Sequence, residues 1–201
     1  MRHRKRGRVL GRCPSHRKAL LRNLASALFL TERDAEMDEN APKVKGRIIT
    51  TLHKAKEVRP LVEKCITIAR KANESAKQAE QFGPSDAKNT VAWKSWRESP
   101  EWRKWAQARA PYVAARRQVN KMLGDKEAVR ILFEEVAPRF VGRTGGYTRI
   151  LRLAKPRLGD AGTRAVLEFV GVRDRVEKKS EKPSFGGDEG GSAGGESGGG
   201  E

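Results

Sequence analysis

Cationic side chains without neighbouring acids are the most distinctive chemistry near the N-terminus. No Asp or Glu precedes Glu32, while the chain as a whole has a formal net charge of +18. Arg and Lys at this density neutralise phosphates and release condensed counterions, which favours a nucleic acid as partner. Arg dominates, which suits bidentate contacts with phosphate and stacking on bases. The cations concerned are Arg2, Arg4, Lys5, Arg6, Arg8, Arg12, Arg17, Lys18 and Arg22.

The segment 1–14 is predicted to be an extended basic arm. Apart from Val9 and Leu10 it has almost no apolar content, so it cannot offset its ordering entropy by burying surface. We expect it to be mobile in water and to order against nucleic acid. A solvated charge run or a localisation signal is the alternative. At the other end, residues 173–201 are charged and then Gly-rich, which predicts a disordered tail.

Hydrophobic spacing predicts one α+β domain over 15–172, with helices packed on one face of a small sheet. Ser15 is a candidate N-cap, Pro60 should kink or divide its helix, and Gly124 and Asp125 should end one helix and cap the next. Four helices are predicted in this domain. The first begins at Pro14-Ser15, and the second runs from about His53 to Ala72 with a cap at Thr50 or Thr51. The third covers Tyr112–Leu123, and the fourth follows Asp125 and stops at Pro138. The predicted strands are Arg47–Thr51 and a hairpin of Tyr147–Leu153 with Ala165–Val170.

All four tryptophans lie close together among cations, at Trp93, Trp96, Trp102 and Trp105. Ser99-Pro100-Glu101 is a helix-start signature, so Trp96 and Trp102 should belong to different short helices. Such tryptophans could stack on unpaired bases. Their i, i+3 spacing is more typical of packing in a core or interface, and we favour packing.

Catalytic and metal-binding patterns are not found in the sequence. His3, His16 and His53 have no orienting acid beside them, and neither GxGxxG nor GxxxxGK[ST] occurs. Cys13 and Cys65 are far apart and form no CxxC pair, so neither a disulfide framework nor a zinc site is expected. No apolar run could span a membrane or serve as a secretory signal. We therefore expect a cytoplasmic, non-enzymatic protein with no cofactor, no metal, no small-molecule substrate and no membrane partner.

Several segments resemble the seventeenth protein of the bacterial large ribosomal subunit. The most specific are MRHRK at Met1–Lys5 and GGYTRIL at Gly145–Leu151. The remaining matches, in the family's order, include Ser15-His16-Arg17, Arg22-Asn23, IITTL at Ile48–Leu52, KAKE at Lys54–Glu57, LFEEVAPRF at Leu132–Phe140 and LEFV at Leu167–Val170.

The resemblance implies a structural constituent of the 50S subunit that binds 23S rRNA near the polypeptide exit and supports translation without catalysis. It also implies neighbouring large-subunit ribosomal proteins as partners, a cytoplasmic, ribosome-associated location, and helices over a mixed sheet. By position, the RNA-binding role falls on Arg2, His3, Arg4, Lys5, Arg8, Arg12, His16, Arg17 and Arg22. To these we add Arg6 and Lys18 from the same cationic stretch, and Arg149, Lys155 and Arg157 from the late hairpin and its basic loop.

The sequence departs from the family pattern at insertions of about 33–46 and 73–107, and in the Gly-rich tail. The second insertion contains every Trp and could be an RNA contact, a protein contact or a self-packed helical hairpin. Two other functions are weighed against the ribosomal one. A DNA-compacting or regulatory protein should show a recognition helix or dimer seam, and neither is evident. A nuclease or RNA-modifying enzyme would need an acid/base or metal cluster created only by folding.

Overall fold

Five α-helices and a three-stranded sheet make up the part of the chain that the computed structural model describes, which is residues 7–35, 38–84 and 87–171. The predicted α+β class is confirmed. In chain order the elements are α1 (Pro14–Leu30), β1 (Arg47–Thr51), α2 (Leu52–Glu80), α3 (Val91–Glu98), α4 (Pro100–Leu123), α5 (Lys126–Ile131), a π-helical turn (Leu132–Val136), a 3-10 turn (Ala137–Phe140), β2 (Thr148–Arg152) and β3 (Arg164–Phe169). The tail predicted over 173–201 lies outside the described residues.

The sheet has β3 at its centre, with β1 on one side and β2 on the other. Leu167 of β3 lies between Ile48 of β1 and Ile150 of β2. Both pairings are antiparallel, so the sheet is not mixed as the resemblance implied. The predicted hairpin of the two late strands is confirmed. β1 pairs with the free edge of that hairpin and runs antiparallel to β3.

One face of the sheet packs on the helices, as the alternation of β3 predicts. Leu167 and Phe169 point into the same hydrophobic core as the apolar stripe of α2. Phe29 of α1 stacks on Phe169, with ring centroids 5.9 Å apart. The stripe predicted for α2 is fully buried, and it consists of Ala55, Val58, Val62, Cys65, Ile66 and Ala69.

Helix boundaries differ from the predicted ones where local signals were ambiguous. Cys13, not Ser15, is the N-cap residue of α1, and Pro14 occupies the first turn, where a missing N–H costs nothing. Thr51 precedes α2 as predicted, although its side chain makes no capping hydrogen bond. Pro60 does not divide α2. It is solvent-exposed, so water can hydrate the carbonyl that loses its helical partner.

The Trp-containing insertion folds as a helical hairpin with its neighbours. α2 runs on to Glu80, well past the predicted end at Ala72, because Ala72 and Ala79 are buried and most of the intervening residues are good helix formers. The predicted short helix with Trp102 and the predicted helix from Tyr112 are one helix, α4, which passes through the exposed Pro111. α2 packs against α4 along its length.

Two of the tryptophans pack at the tip of this hairpin. The indole Nε1 of Trp96 donates to the carbonyl of Phe82 at 3.3 Å. The Trp96 and Trp105 rings meet edge to face, with centroids 5.6 Å apart. The two rings thus pack on each other, as the preferred interpretation predicts, and both remain half-exposed. The insertion is therefore part of a helical hairpin, and its contacts with RNA or with another protein stay predictions.

The last helical segment follows its predicted caps but ends differently. Gly124 has φ 76° and ends α4, and the Asp125 carboxylate accepts the backbone N–H groups of Glu127 at 2.9 Å and Ala128 at 3.2 Å. α5 was expected to continue to Pro138, but α-helical geometry ends at Ile131. Pro138 instead lies in the first turn of the 3-10 segment, where no N–H donor is needed.

An ion pair between a buried carboxylate and a partly exposed arginine joins the end of α1 to the 3-10 turn. Glu32 is 5% exposed, and its two carboxylate oxygens accept from Nη1 and Nη2 of Arg139, each at 2.9 Å. Gly46, at φ 75°, leaves the space that the Glu32 carboxylate needs, since a Cβ there would lie 2.7 Å from its Oε1. The backbone N–H of Gly46 donates to the Thr31 hydroxyl at 3.0 Å.

Candidate nucleic-acid interface

The described end of the basic arm forms one wall of a groove beside the start of α2. The arm turns back there: the Arg12 N–H donates to the Val9 carbonyl at 3.2 Å, and Leu10 and Gly11 both have positive φ. The Arg12 guanidinium donates to the Leu10 carbonyl at 2.6 Å and holds this turn. The groove, called the arm groove below, is lined by Arg8, Leu10, Arg12, Thr51, His53, Lys54 and Arg157.

Positive charge exceeds negative charge in the arm groove. Arg8 lies 3.5 Å from Glu57, and Arg157 pairs with Asp160. The hydrogen bonds from Arg157 hold the pKa of the Asp160 carboxyl well below its ordinary value, so this acid stays charged at neutral pH. Arg12 and Lys54, in contrast, take part in no ion pair with any described residue. Their charges are available to an anionic partner.

A second depression lies between α1, α2 and α4. Its rim is cationic and its floor is apolar, because Leu21, Leu61 and Met122 meet there. Arg22 spans the rim, with Nη2 donating to the Lys121 carbonyl at 2.9 Å. The lining residues are Lys18, Leu21, Arg22, Leu61, Lys121 and Met122.

A third depression follows the outer edge of β2 beside the first turns of α2. Arg149 pairs there with Glu168 at 2.6 Å, and Arg59 pairs with Glu63 at 3.3 Å. The Glu63 carboxylate also accepts from Thr148, at 2.8 Å from its hydroxyl and 3.3 Å from its N–H, and so fixes the start of β2. The lining residues are Leu52, Lys56, Arg59, Thr148, Arg149, Ile150 and Arg152.

The pKa of Glu63 reflects this role. Partial burial acts to raise the pKa, but the hydrogen bonds from Thr148 and Arg59 outweigh it, and the pKa lies below its ordinary value. The contribution of Glu63 to stability is therefore complete above the pKa of the unfolded chain. It is lost as the pH falls through the lowered pKa of the folded chain.

The structure brings together some of the residues predicted to bind RNA and separates others. Arg8, Arg12 and Arg157 meet in the arm groove. Lys18 and Arg22 line the second depression, and Arg149 lines the third. His16 and Arg17 lie on the first turn of α1 outside all three, and Lys155 is exposed on the loop between β2 and β3. The other predicted residues lie outside the described part of the chain: Arg2, His3, Arg4, Lys5 and Arg6.

Several basic residues that line these depressions were not predicted from the sequence. One local signal existed for Lys54, because it lies in the first turn of α2, where no acid is present. The helix dipole disfavours a cation at that position, which points to an external anionic partner. No comparable signal marks the others, which are His53, Lys56, Arg59, Lys121 and Arg152.

Within the described ranges, no three His, Cys, Asp or Glu side chains are grouped so that they could hold a metal ion. A search of the same residues for a helix long and apolar enough to cross a membrane also finds none.

Comparison with known proteins identifies the family. The family model described as Ribosomal protein L17 matches residues 20–170. The chain belongs to the Ribosomal protein L17 family. The "Large ribosomal subunit protein bL17" of Rhodopirellula baltica is 63% identical over 185 residues, covering 92% of this chain and 88% of that protein.

More distant members of the Ribosomal protein L17 family have the same printed name. The protein from Nitratidesulfovibrio vulgaris is 36% identical over 84% of this chain and 87% of its own length. The protein from Chlorobium chlorochromatii is 35% identical over 92% of this chain and 84% of its own length. This chain is accordingly a structural, non-enzymatic ribosomal protein of the large subunit.

The two thiols provide a test of the local structure at the arm. Cys13 is exposed, and the hydrogen bond from Ser15 together with the N–H of His16 lowers the pKa of its thiol. Cys65 is buried, and burial raises the pKa of its thiol to about 12. We expect a chromogenic disulfide reagent to label one thiol in the native protein and the second only after unfolding. Loss of the native reaction in Cys13→Ser is the control, and equal rates for both thiols would contradict the assignment.

Proposed function

We propose that this chain binds 23S rRNA in the large ribosomal subunit, with the arm groove as its principal phosphate-binding site. One observation carries the proposal. Basic side chains from the arm, from α2 and from the β2–β3 loop converge there, and Arg12 and Lys54 have no acid partner among the described residues. The net charge of +18 and the names of the relatives agree with rRNA as the polyanion.

Binding in this proposal proceeds by charge neutralisation. Phosphates replace counterions and water around Arg12 and Lys54, while the turn at Leu10 and Gly11 keeps Arg8 close to Glu57 of α2, on the same wall of the groove. The first residues of the arm, Arg2–Arg6, extend the contact. The cations of α1, with Arg149 and Lys155, supply further backbone contacts. Selectivity then comes from the shape of the RNA and the positions of its phosphates more than from reading bases.

The proposed setting is the cytoplasmic ribosome, near the polypeptide exit and beside other large-subunit proteins. There the folded domain holds rRNA segments together and supports translation without catalysing a reaction. The cationic rim of the second depression and the basic residues of the third, such as Lys56 and Arg152, fit this role, since the two depressions lie on different sides of α2.

Sedimentation of a cell lysate through a sucrose gradient tests the assignment. We expect one copy of the chain on each large subunit, with little loss in moderate salt. A chain found free, or bound to DNA, would overturn the proposal.

Binding to protein-free rRNA is the companion measurement. The logarithm of the association constant should fall linearly with the logarithm of the salt concentration, by about 0.7–0.9 per phosphate contact. Labelling of Cys13, which lies beside the arm groove, should slow when rRNA is added. A salt-independent association would contradict binding through phosphate contacts, and equal affinity for duplex DNA would contradict the proposed selectivity for the shape of rRNA.

A further inference from the structure

The helical hairpin has one strongly cationic side. Between Glu101 and Asp125 there is no acidic residue, although α4 occupies nearly all of that stretch. Its six cations form no ion pair with any described residue. They are Arg103, Lys104, Arg109, Arg116, Arg117 and Lys121.

Three arginines of the hairpin stack on aromatic rings, each on two of them. Arg109 lies over Trp105 at 5.1 Å and over Tyr112 at 5.5 Å, measured from Cζ to the ring centroid. Arg97 and Arg116 repeat the arrangement. The corresponding pairs are Trp93 at 5.3 Å and Trp102 at 5.9 Å for Arg97, and Tyr112 and Phe133, both at 5.8 Å, for Arg116. We call Arg97, Arg109 and Arg116 the arginine ladder.

Stacking on a ring orients these guanidinium groups before an anion binds. A ring covers a guanidinium face and restricts its rotation, but it leaves the N–H groups at the edge without acceptors. An arginine that is already oriented loses less side-chain entropy when it binds a phosphate. Because no described carboxylate pairs with the ladder, its N–H groups are open to an external acceptor.

The other helix of the hairpin, α2, has the mixed charges of an ordinary solvent-exposed helix. Along the exposed end of α2, Lys71 and Lys77 alternate with Glu74 and Glu80. Mixed signs of this kind are typical of a surface that faces water. The two antiparallel helices therefore differ in charge, and only the α4 side is complementary to a polyanion.

We propose that the α3–α4 side of the hairpin is a second RNA-binding surface, which holds the phosphate backbone of rRNA through the arginine ladder and the exposed cations of α4. The inference rests on the proposed function and adds to it a site that begins in the insertion at about 73–107 and continues along α4. From Arg103 to Lys121 the helix rises by about 27 Å, enough to follow several phosphates.

Matched charge-removal variants of the full-length chain test this surface. Each variant replaces three cations by Gln, and its affinity for protein-free 23S rRNA is measured over a range of salt concentrations. The exposed variant is Arg103→Gln, Lys104→Gln and Arg117→Gln; the ladder variant is Arg97→Gln, Arg109→Gln and Arg116→Gln; the control on α2 is Lys64→Gln, Lys71→Gln and Lys77→Gln. We expect the salt slope to fall by about 2–3 in the exposed and ladder variants and to stay unchanged in the control.

The outcomes separate this inference from the function on which it rests. Thermal unfolding of each variant shows whether that variant is folded. The exposed variant removes no arginine–ring contact. If the ladder variant does not fold, the exposed variant alone therefore decides the test. If both α4 variants bind rRNA like the α2 control while changes in the arm groove weaken binding, the second surface is overturned and the arm groove stands. If they bind rRNA normally but enter subunits poorly, the surface contacts a protein and the RNA assignment is wrong. If the wild-type chain does not bind rRNA, both proposals fail.

Discussion

Replacing Arg12 and Lys54 by Gln is expected to lower the affinity for 23S rRNA by about 25–60-fold at about 0.1 M salt, because each lost phosphate contact removes about 0.7–0.9 from the salt slope. These two cations are the ones in the arm groove that no described acid neutralises. Filter binding at several salt concentrations measures both the affinity and the slope. The slope should fall by about 1.4–1.8.

Two controls accompany this double variant. The first, Arg8→Gln with Arg157→Gln, removes cations that already face Glu57 and Asp160, so we expect a smaller loss. The second, Lys71→Gln with Lys77→Gln on α2, removes the same charge outside the groove and should change little. Equal losses in all three double variants would show that net charge, and not the arm groove, determines binding. Cys13 labelling at the wild-type rate would show that the arm turn survives the loss of the Arg12 hydrogen bond.

Replacing Arg139 by Met is expected to lower the free energy of unfolding by about 1–3 kcal/mol, since a buried carboxylate loses both hydrogen bonds from its partly exposed partner. Glu32 is the carboxylate concerned, and both its oxygens accept from Arg139 at 2.9 Å. The pair joins α1 to the segment that precedes β2, so its loss also loosens a contact between distant parts of the chain. Urea denaturation followed by far-ultraviolet circular dichroism measures the change.

A double variant and an exposed pair complete that experiment. In Glu32→Leu with Arg139→Met the buried charge is gone as well, so part of the lost stability should return. Arg8→Met breaks the exposed pair with Glu57 at 3.5 Å and should cost less than about 1 kcal/mol. A loss of similar size in Arg139→Met and Arg8→Met would mean that the Glu32 pair is solvated in solution.

The elements that face the core could be predicted because their apolar spacing is a local property. The stripe from Ala55 to Ala69 is buried, and so are Ala165, Leu167 and Phe169 of β3, although the opposite face of β3, with Val166 and Glu168, is buried too. The glycine at 124 and the aspartate at 125 were sufficient to locate the end of one helix and the start of the next. The predicted helix boundaries were wrong where a helix is stabilised by a partner distant in sequence. The extension of α2 to Glu80 depends on α4, and the continuity of α4 through Pro111 depends on packing against α2.

The sequence was sufficient to predict which cations belong to the site, but not how they are arranged in space. An acid-free run identifies Arg8 and Arg12 as candidates without any structure. Their position beside Lys54 and Arg157 requires the turn at Leu10, the start of α2 and the β2–β3 loop to meet, and only the folded chain contains that information. The same holds for Glu32, whose partner Arg139 is remote in sequence.

The central position of β3 sets the order in which the protein can fold. Thr51 of β1 pairs with Arg164, so the first strand has no partner until nearly all of the described chain has been synthesised. The antiparallel contact between α2 and α4 needs only the chain up to Leu123 and involves shorter loop closure. The helical hairpin can therefore form on a nascent chain before β1 has a partner strand. Formation of the complete sheet is the later and slower step, because it requires contacts between residues far apart in sequence.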